Sequence, residues 1–415
     1  MSDAQKAVIA GGEAARDSAA SLAHAADNVI NQALRGMAAR LAERAPDILA
    51  ANAEDMVGGE AAGLGQGLLD RLRLDHGRMQ EMSRQIGLLA DSPFPAGLTP
   101  LGELPGGPSG GRLRLAERRV PVGVIGANFE ARPNVTIDIA SQLLKSRNAG
   151  VLRTGGAALR SAAALADHVI APAAEAAGLD PRVVQLVRSA DREAAVELVR
   201  QPELIPLVIL RGSGDTTRNL AAAAAACGVR TLAHADGGGV LYLDRAADPA
   251  VATELVTASL DRLGVCNRLN LLLICADVWD QRLPGVLDAV RGLGVTPSLP
   301  PHAHPLGHEW ALDTGHEATV TIAPADGPAA AAEIANACTS GLAASIVTTA
   351  PAAAGEFLAA YRGTGAFWNA STRLLDGFRL RGVPETGINV DHVPGPRGPV
   401  TFHDLCLRQY VVTPG

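Results

Sequence analysis

The chain has 415 residues, which is long enough for two or three domains with a large buried core. Its 36 basic and 43 acidic side chains give a formal net charge of −7, which argues against a nucleic acid as the main partner. Hydrophobic residues make up 47% of the chain but aromatic residues only 3%. The core must therefore be built from small aliphatic side chains, which favours helices packed closely on a sheet.

Neither the N-terminal residues nor any later stretch has the pattern of a targeting or membrane segment. No basic segment followed by an apolar run comes after Met1, and the longest apolar stretch, Leu220–Val229, is far shorter than the ~20 residues of a membrane span. The five cysteines form no C-x-x-C pair, which favours reduced thiols over a disulfide framework. We therefore expect a cytoplasmic protein without a membrane partner.

The first third of the chain predicts a helical layer followed by a boundary. Apolar residues recur at helical spacing from about 17 to 89. The proline- and glycine-rich stretch 95–111 predicts a loop. In 111–119, leucines alternate with arginines, which predicts a half-exposed strand that projects from the body.

From residue 120 onward, short β-branched runs alternate with alanine-rich helical stretches, a pattern typical of parallel sheets covered on both faces. A first series predicts strands at 120–127, 150–153, 183–187 and 204–210, with helices near 135–146, 157–177 and 191–200. A second series predicts strands near 240–243, 271–274, 320–322, 345–348 and 366–369, with helices near 248–262, 328–338 and 351–361. The tail 407–412 predicts a last strand that can pair with the projecting one.

Two glycine turns, Arg153–Gly156 and Arg211–Gly214, each follow a predicted strand and precede a helix. Ligands of parallel sheets bind at the C-terminal ends of strands, where the amides of a helix start can hold an anion. The alternative is a tight connection that needs glycine for positive φ. Neither G-x-G-x-x-G nor a Walker A sequence occurs, so the residues alone do not identify a dinucleotide fingerprint or a P-loop.

Cys266 lies in the segment Gly264–Asn267, between a long predicted helix and a strand, where a turn can expose its sulfur. A nucleophile and a buried structural cysteine are both compatible with this spacing.

Four histidines surround two carboxylates further on, at His302, His304, His308 and His316 with Glu309 and Asp313. Their segment is a proline-broken loop without a helix or hairpin to fix ligand geometry, so we expect no metal site there.

The stretch VGVIGANFEARPNVT at 122–136 closely resembles the gamma-glutamyl phosphate reductases, a family within the aldehyde dehydrogenase superfamily. The resemblance recurs, in order and over nearly the whole chain, at LLKSRN (143–148), HADG (234–237), GVCN (264–267), NASTR (369–373) and ETGI (385–388).

The resemblance implies an α/β fold like that of aldehyde dehydrogenases, with two parallel-sheet domains and a small β flap for oligomerisation. The implied dinucleotide-binding domain comprises 1–103 and 120–232, the catalytic domain 233–390, and the flap 104–119 and 391–415. The implied reaction is the NADPH-dependent reduction of L-glutamyl 5-phosphate to glutamate 5-semialdehyde and phosphate, in proline biosynthesis. The resemblance also implies a homodimer or homotetramer, and a glutamate kinase-like enzyme that supplies the acyl phosphate.

Cys266 matches the family nucleophile, whose thiolate would expel phosphate from the acyl phosphate and leave a thioester for reduction. The resemblance implies Asn134 or Arg132 as an oxyanion donor beside the Cys266 amide, although Arg132 could equally bind a phosphate or carboxylate. It implies cofactor contacts at Lys145, Arg153, Gly155, Gly156, Gly212, Gly214 and Glu385. It implies substrate contacts at Asn267, Ser371 and Arg373.

The chain departs from the family pattern at several positions near these motifs. Ala131 replaces a serine, Asn270 replaces a glutamate, and the stretch 340–344 loses a histidine and an aspartate. Arg268 is expected to bring a positive charge near the thiol. The altered turn 153–156 leaves open whether the cofactor is NADPH or NADH. These changes keep two alternatives open: reduction of a different acyl phosphate or thioester, and a noncatalytic scaffold that assembles with a kinase.

Overall fold

The computed structural model describes residues 1–94, 97–106, 111–212, 214–234, 237–313, 315–391 and 397–415. Parts of the expected flap, at 107–110 and 392–396, lie outside the described residues, as do Ala235 and Asp236 of the HADG motif.

The N-terminal part of the chain is helical, as its apolar periodicity predicts. Side-chain oxygens cap two of the helices: Ser2 accepts from the amide of Gln5, and Asp75 accepts from the amide of Arg78. The buried faces of these helices join the core of the first sheet. The helices are α1 (Asp3–Ala23), α2 (Asp27–Glu43), α3 (Ala45–Ala61), α4 (Gln66–Leu72) and α5 (His76–Asp91).

The first sheet is parallel, with strand order β5-β4-β3-β6-β7, and its five strands belong to the described ranges. The strands are β3 (Val124–Phe129), β4 (Ala149–Thr154), β5 (Val184–Leu186), β6 (Leu207–Arg211) and β7 (Arg230–His234). The associated helices are α6 (Pro133–Lys145), α7 (Leu159–Leu165), α8 (Ala171–Ala176), α9 (Glu193–Leu198) and α10 (Gly214–Ala226). A π-helical turn at Ala166–Ile170 joins α7 to α8, so the helix predicted at 157–177 is irregular in its middle.

The second sheet is also parallel, with order β10-β11-β9-β8-β12-β13. Its strands are β8 (Gly239–Leu243), β9 (Leu269–Cys275), β10 (Thr296–Ser298), β11 (Thr319–Ala325), β12 (Ala343–Val347) and β13 (Gly365–Trp368). The helices of this part are α11 (Pro249–Ser259), α12 (Trp279–Gly292), α13 (Pro328–Cys338), α14 (Pro351–Ala360) and α15 (Gly377–Arg381). The α/β architecture with two parallel sheets is thereby confirmed, and β7 and β10 are strands that the sequence pattern missed.

Two small antiparallel sheets complete the described fold. The strands β14 (Gly387–Asn389) and β15 (Gly398–Val400) pair with each other. The strands β1 (Thr99–Pro105), β2 (Arg112–Pro121) and β16 (Cys406–Pro414) form a three-stranded sheet, in which the tail pairs with the projecting strand as predicted. The prediction of a loop throughout 95–111 is wrong, because β1 lies within it; its prolines are tolerated at the edge of the sheet. The domain division and the oligomerising role of this sheet stay predictions.

Among the described helices, none combines the length and the apolar character required to cross a membrane.

Candidate active site

Cys266 lies in the turn between α11 and β9 and opens into a cleft of about 340 Å³. The walls of this cleft come from the helical layer, from the C-terminal ends of first-sheet strands, and from the loops around the cysteine. Six arginines among the described residues line it, namely Arg71, Arg78, Arg132, Arg211, Arg262 and Arg373. Four carboxylates also line it, namely Glu81, Asp138, Asp376 and Glu385.

A glycine segment packs directly against the backbone of the cysteine turn. The amide of Gly238 donates to the carbonyl of Cys266 at 2.7 Å, and the amide of Gly237 donates to Glu309 Oε2 at 2.7 Å. A Cβ on Gly237 would lie 2.6 Å from the Cys266 oxygen and 2.6 Å from Glu309 Oε1. Only glycine allows this approach, so Gly237 fixes the position of the turn that carries the thiol.

The NASTR segment holds the same turn from the other side. Thr372 Oγ1 donates to the carbonyl of Asn267 at 2.8 Å, and Asn267 Nδ2 donates to the carbonyl of Leu375 at 2.9 Å. Arg373 donates to Asn267 Oδ1 and, through Nε, to Asp261 at 2.7 Å. Asn267 and Arg373 line the cleft, but these bonds make them supports of the cysteine turn.

Ser371, the third expected substrate contact, does not line the cleft. Its hydroxyl lies 2.9 Å from the hydroxyl of Ser259 and accepts from the amide of Arg373 at 3.2 Å. The structure therefore places Ser371 in a turn behind the site.

Contacts between residues far apart in sequence assemble the cleft, and sequence reasoning missed them. Arg71 of α4 donates through Nε to the carbonyl of Gly264 at 2.9 Å. Gln142 of α6 donates to the carbonyl of Pro384 at 2.7 Å, and Arg211 donates to the carbonyl of Thr386 at 3.0 Å. No local pattern in the sequence marks Arg71 or Gln142 as part of a site.

The loop from β3 into α6 brings charged and polar groups to the thiol. Arg132 Nε lies 2.8 Å from Glu130 Oε1, and both side chains are mostly buried. Burial opposes the charge of Glu130, but Arg132 and Arg211 outweigh it and hold the pKa of Glu130 at about 2. Asn134 Nδ2 donates to Asp138 Oδ2 at 3.0 Å, so one of its two amide hydrogens is already engaged.

Burial dominates the acid–base behaviour of the cleft. It raises the pKa of the Cys266 thiol to about 11, although Arg132 and Arg211 act in the opposite direction. It raises the pKa of Asp138 to about 6. Burial, followed by repulsion from Asp376, raises the pKa of Glu385 to about 7. The resting thiol is therefore protonated at neutral pH.

Glu385 lies among the side chains of the cleft rather than at the glycine turns. Its Oε2 accepts from the amide of Gly377 at 2.7 Å, and both residues follow the NASTR segment. Glu309, which sequence reasoning did not place in the site, is the carboxylate that contacts Gly237 beside Cys266, and it does not line the cleft.

The turn Arg153–Gly156 and the described residues of the second turn lie at one edge of the first sheet, at the C-terminal ends of β4 and β6 on either side of β3. Ser213 of the second turn lies outside the described residues. A Cβ on Gly156 would lie 3.1 Å from the Cβ of Ala190, so the backbone there is closely packed. Gly214 begins α10. Arg153 is 7% exposed and donates to Asn128 Oδ1 and to the carbonyl of Asp191, so its guanidinium is held by the chain itself.

Lys145 does not reach the site, contrary to the expectation from the resemblance. It ends α6, so it lies one helix length of about 20 Å from the start of that helix and from the C-terminal edge of the sheet. Its Nζ donates to Asn31 Oδ1 at 2.9 Å and to the carbonyl of Ala90 at 3.2 Å. Lys145 thus fastens the helical layer to α6.

Most departures from the family pattern lie behind the cysteine turn. Arg268 is fully buried and donates to the carbonyls of Leu269, Glu317 and Thr319, so the expectation of a new charge facing the thiol is wrong. Asn270, Leu342 and Ala344 are buried and do not line the cleft. Both amide atoms of Asn270 lack a hydrogen-bond partner within the part of the chain that the structure describes, and that part offers no explanation.

The histidine loop packs around Trp310. The rings of His304 and His308 meet the indole edge-on, with centroids 4.7 and 4.4 Å away, and His308 Nε2 lies 2.8 Å from Asp313 Oδ2. Within the described ranges, no three His, Cys, Asp or Glu side chains are grouped so as to hold a metal ion. The expectation of no metal site stays a prediction.

The sequence and the architecture agree with one family of enzymes. A sequence model described as the aldehyde dehydrogenase family matches residues 4–306. The chain therefore belongs to the aldehyde dehydrogenase family.

Its relatives define a group within that family. The chain is 38% identical to a gamma-glutamyl phosphate reductase of Clavibacter michiganensis, over 96% of this chain and 92% of that protein. It is 36% identical to one of Moorella thermoacetica, over 97% and 96%. The crystal structure of gamma-glutamyl phosphate reductase from Thermotoga maritima superposes with a TM-score of 0.86 at 27% identity, over 98% of both chains. These matches group the chain with the gamma-glutamyl phosphate reductases and confirm the resemblance.

Proposed function

We propose that the chain reduces L-glutamyl 5-phosphate to glutamate 5-semialdehyde with release of phosphate. The observation that carries this proposal is a cysteine thiol at a cleft lined by six arginines, in a chain whose relatives at 36–38% identity are gamma-glutamyl phosphate reductases. Guanidinium groups suit an acceptor that carries a phosphate and a carboxylate. The departures at Asn270 and 342–344 are not among the described residues that line the cleft, which favours this acceptor over a different acyl group.

The first half of the reaction uses only Cys266 and the acceptor. Sγ attacks the acyl carbonyl, the bond between carbonyl carbon and phosphate oxygen breaks, and the proton of the thiol leaves with the phosphate as hydrogen phosphate. The product is a thioester on Cys266. Because the pKa of this thiol is raised to about 11, proton transfer to the leaving phosphate avoids a free thiolate in the resting site.

The tetrahedral intermediate places a negative charge on the former carbonyl oxygen. We propose that the Cys266 amide and the remaining amide hydrogen of Asn134 donate to this oxygen, since one such donor is typically worth about 3 kcal/mol. Arg132, which lies in the same loop and is paired with Glu130, is assigned to the phosphate.

The edge of the first sheet fits a dinucleotide. The backbone turns at Gly155–Gly156 and at Gly212 and Gly214 flank the end of β3, and Gly214 opens a helix of 13 residues whose N-terminus favours a phosphate. When bound there, NADPH supplies the hydride that reduces the thioester carbonyl to the aldehyde. The proposed cofactor contacts do not include Lys145. Arg153 contributes indirectly, by donating to the carbonyls of 190 and 191 beside the Gly156 turn.

Because acyl phosphates are short-lived in water, we propose that a glutamate kinase-like enzyme supplies the acceptor. A homodimer or homotetramer assembled through the three-stranded sheet stays part of the proposal.

The reverse reaction provides the test: purified protein is given glutamate 5-semialdehyde, phosphate and NADP⁺, and formation of NADPH is followed at 340 nm. We expect phosphate-dependent turnover that Cys266→Ala lowers by at least about 1,000-fold. Cys338→Ala is the matched control, because Cys338 is exposed and does not line the cleft. Turnover without phosphate would identify an aldehyde oxidiser, and no turnover with either nicotinamide would favour the scaffold.

A further inference from the structure

One part of the cleft carries charges of both signs without ion pairs. Asp138 lies on α6, Arg211 ends β6, and Glu385 precedes β14, and all three line the cleft into which Cys266 opens. None of the three side chains forms an ion pair with any residue in the described ranges. Asp138 accepts a hydrogen bond from the side-chain amide of Asn134, and Glu385 accepts one from the backbone amide of Gly377. Arg211 donates to the backbone carbonyl of Thr386.

The other charged groups of the cleft are mostly engaged. Arg78 and Arg262 both contact Asp70, at 2.7 and 3.1 Å. Arg373 contacts Asp261 at 2.7 Å, and Glu81 contacts Arg84 at 2.5 Å. Asp376 caps α15 by accepting from the amide of Arg379 at 3.0 Å. Asp138, Glu385 and Arg211, like Arg71 and Asp376, thus form no ion pair within the described residues, and Arg211 offsets part of the charge of the two carboxylates through space.

Such an arrangement has an electrostatic consequence. Burial raises the pKa of Asp138 to about 6 and of Glu385 to about 7; repulsion from Asp376 adds to both shifts, and Arg211 opposes them. A cation that enters the cleft offsets the cost of charging these carboxylates, and an anion beside it pairs with Arg211, whose buried Nε has no hydrogen-bond partner among the described residues. A group with adjacent positive and negative charges complements all three side chains.

We propose that Asp138 and Glu385 bind the α-ammonium group of the acceptor, and that Arg211 binds its α-carboxylate. This inference rests on the proposed function, because it concerns the end of the acceptor that Cys266 does not attack. It makes the three residues determinants of specificity for a free α-amino acid, and it assigns Glu385 to the acceptor in place of the cofactor contact that the resemblance implies. Acceptors with an acylated or missing amino group are then poor substrates, because they leave two partly buried carboxyl groups without a cationic partner.

Three aldehydes test the inference in the phosphate-dependent reverse reaction. Glutamate 5-semialdehyde has both charged groups, 5-oxopentanoate lacks the ammonium, and 4-aminobutanal lacks the carboxylate. For the wild-type protein we expect kcat/KM to fall at least about 100-fold when either group is missing.

Isosteric variants assign the effect to residues. Asp138→Asn and Glu385→Gln keep an oxygen that can accept from Asn134 or Gly377, so the local structure is preserved. Each is expected to lower kcat/KM for glutamate 5-semialdehyde at least about tenfold and to change that for 5-oxopentanoate less than about threefold. Arg211→Gln is expected to lower kcat/KM for glutamate 5-semialdehyde at least about tenfold and to change that for 4-aminobutanal less than about threefold. Glu81→Gln is the control, since Arg84 already compensates that carboxylate, and it should leave all the ratios unchanged.

Two results overturn the inference while leaving the proposed function intact. One is a wild-type protein that uses glutamate 5-semialdehyde and 5-oxopentanoate equally well. The other is a set of variants that lose activity toward all three aldehydes by the same factor, as expected for a structural or general catalytic role. Failure to turn over any aldehyde would instead refute the proposed function, and the inference with it.

Discussion

Substitution of Gly237 by alanine tests whether contact with the glycine segment positions the thiol. The new Cβ would lie 2.6 Å from the carbonyl oxygen of Cys266 and 2.7 Å from its Cα, against an ordinary contact of 3.4 Å or more. One side must therefore move by about 0.8 Å. Glu309 Oε1 also lies 2.6 Å from the new Cβ, but the two obstructing atoms of Cys266 are backbone atoms, which yield less easily than the end of a flexible side chain. Gly237→Ala thus transmits a displacement to the cysteine turn.

The expected size of the effect follows from this displacement. Overpacking of this kind costs about 1–3 kcal/mol of stability. A shift approaching 1 Å in a reacting group lowers the rate by up to about 100-fold. We expect kcat to fall by about 10–100-fold, whereas the denaturation midpoint falls only modestly.

The assay combines initial rates of the reverse reaction with urea denaturation. Gly355→Ala is the matched control, because a Cβ at this position in α14 meets no atom within 4 Å. That change should leave kcat unchanged and should stabilise the protein by about 0.5–1 kcal/mol. A Gly237→Ala protein with kcat within twofold of wild type would refute the view that this contact sets the position of the thiol.

Three further predictions concern Lys145, Cys266 and the acidic groups of the cleft. Lys145→Met should leave KM for NADPH within about twofold of wild type in steady-state kinetics, because the Lys145 side chain contacts Asn31 and Ala90 far from the glycine turns. A rise in this KM of tenfold or more would show that Lys145 contacts the cofactor. Alkylation of Cys266 by iodoacetamide, followed by mass spectrometry, should accelerate about tenfold per pH unit from pH 7 to 10, because its pKa is raised to about 11; a plateau near pH 7 would contradict that value. KM for the acceptor should rise as the pH falls below about 7, because Glu385 and then Asp138 become protonated and lose the charge that attracts an ammonium group; a flat KM between pH 8 and 5.5 would contradict this assignment.

The sequence predicts the parallel sheets well because their strands are short apolar runs between turn signals. Val124–Phe129 and Leu269–Cys275 are wholly buried strands of this kind. The strand Thr99–Pro105 was missed because its prolines suggest a loop, and only pairing with β2 at the edge of a sheet makes them acceptable.

The candidate site was predictable only where motif and position coincide. Cys266 and Asn134 follow from local motifs, and both line the cleft. Lys145 belongs to a motif of the same family, but it lies at the opposite end of its helix, and a motif carries no information about which edge of the sheet it reaches. The bond from Arg71 to Gly264 joins residues 193 positions apart, so no spacing rule could have found it.

The attacking thiol and the groups proposed to bind the acceptor lie on different parts of the fold. Cys266 is held by Gly238 and Thr372, which belong to the second sheet and its loops, whereas Asp138 and Arg211 belong to the first sheet and its helices. The distance between thiol and acceptor is therefore set by how the two sheets meet, and Gln142 and Arg211 contribute to it by binding the loop 384–386. Substitutions at these bridging contacts should change the rate of acylation without touching any reacting atom, because they alter the geometry in which Cys266 meets the bound carbonyl.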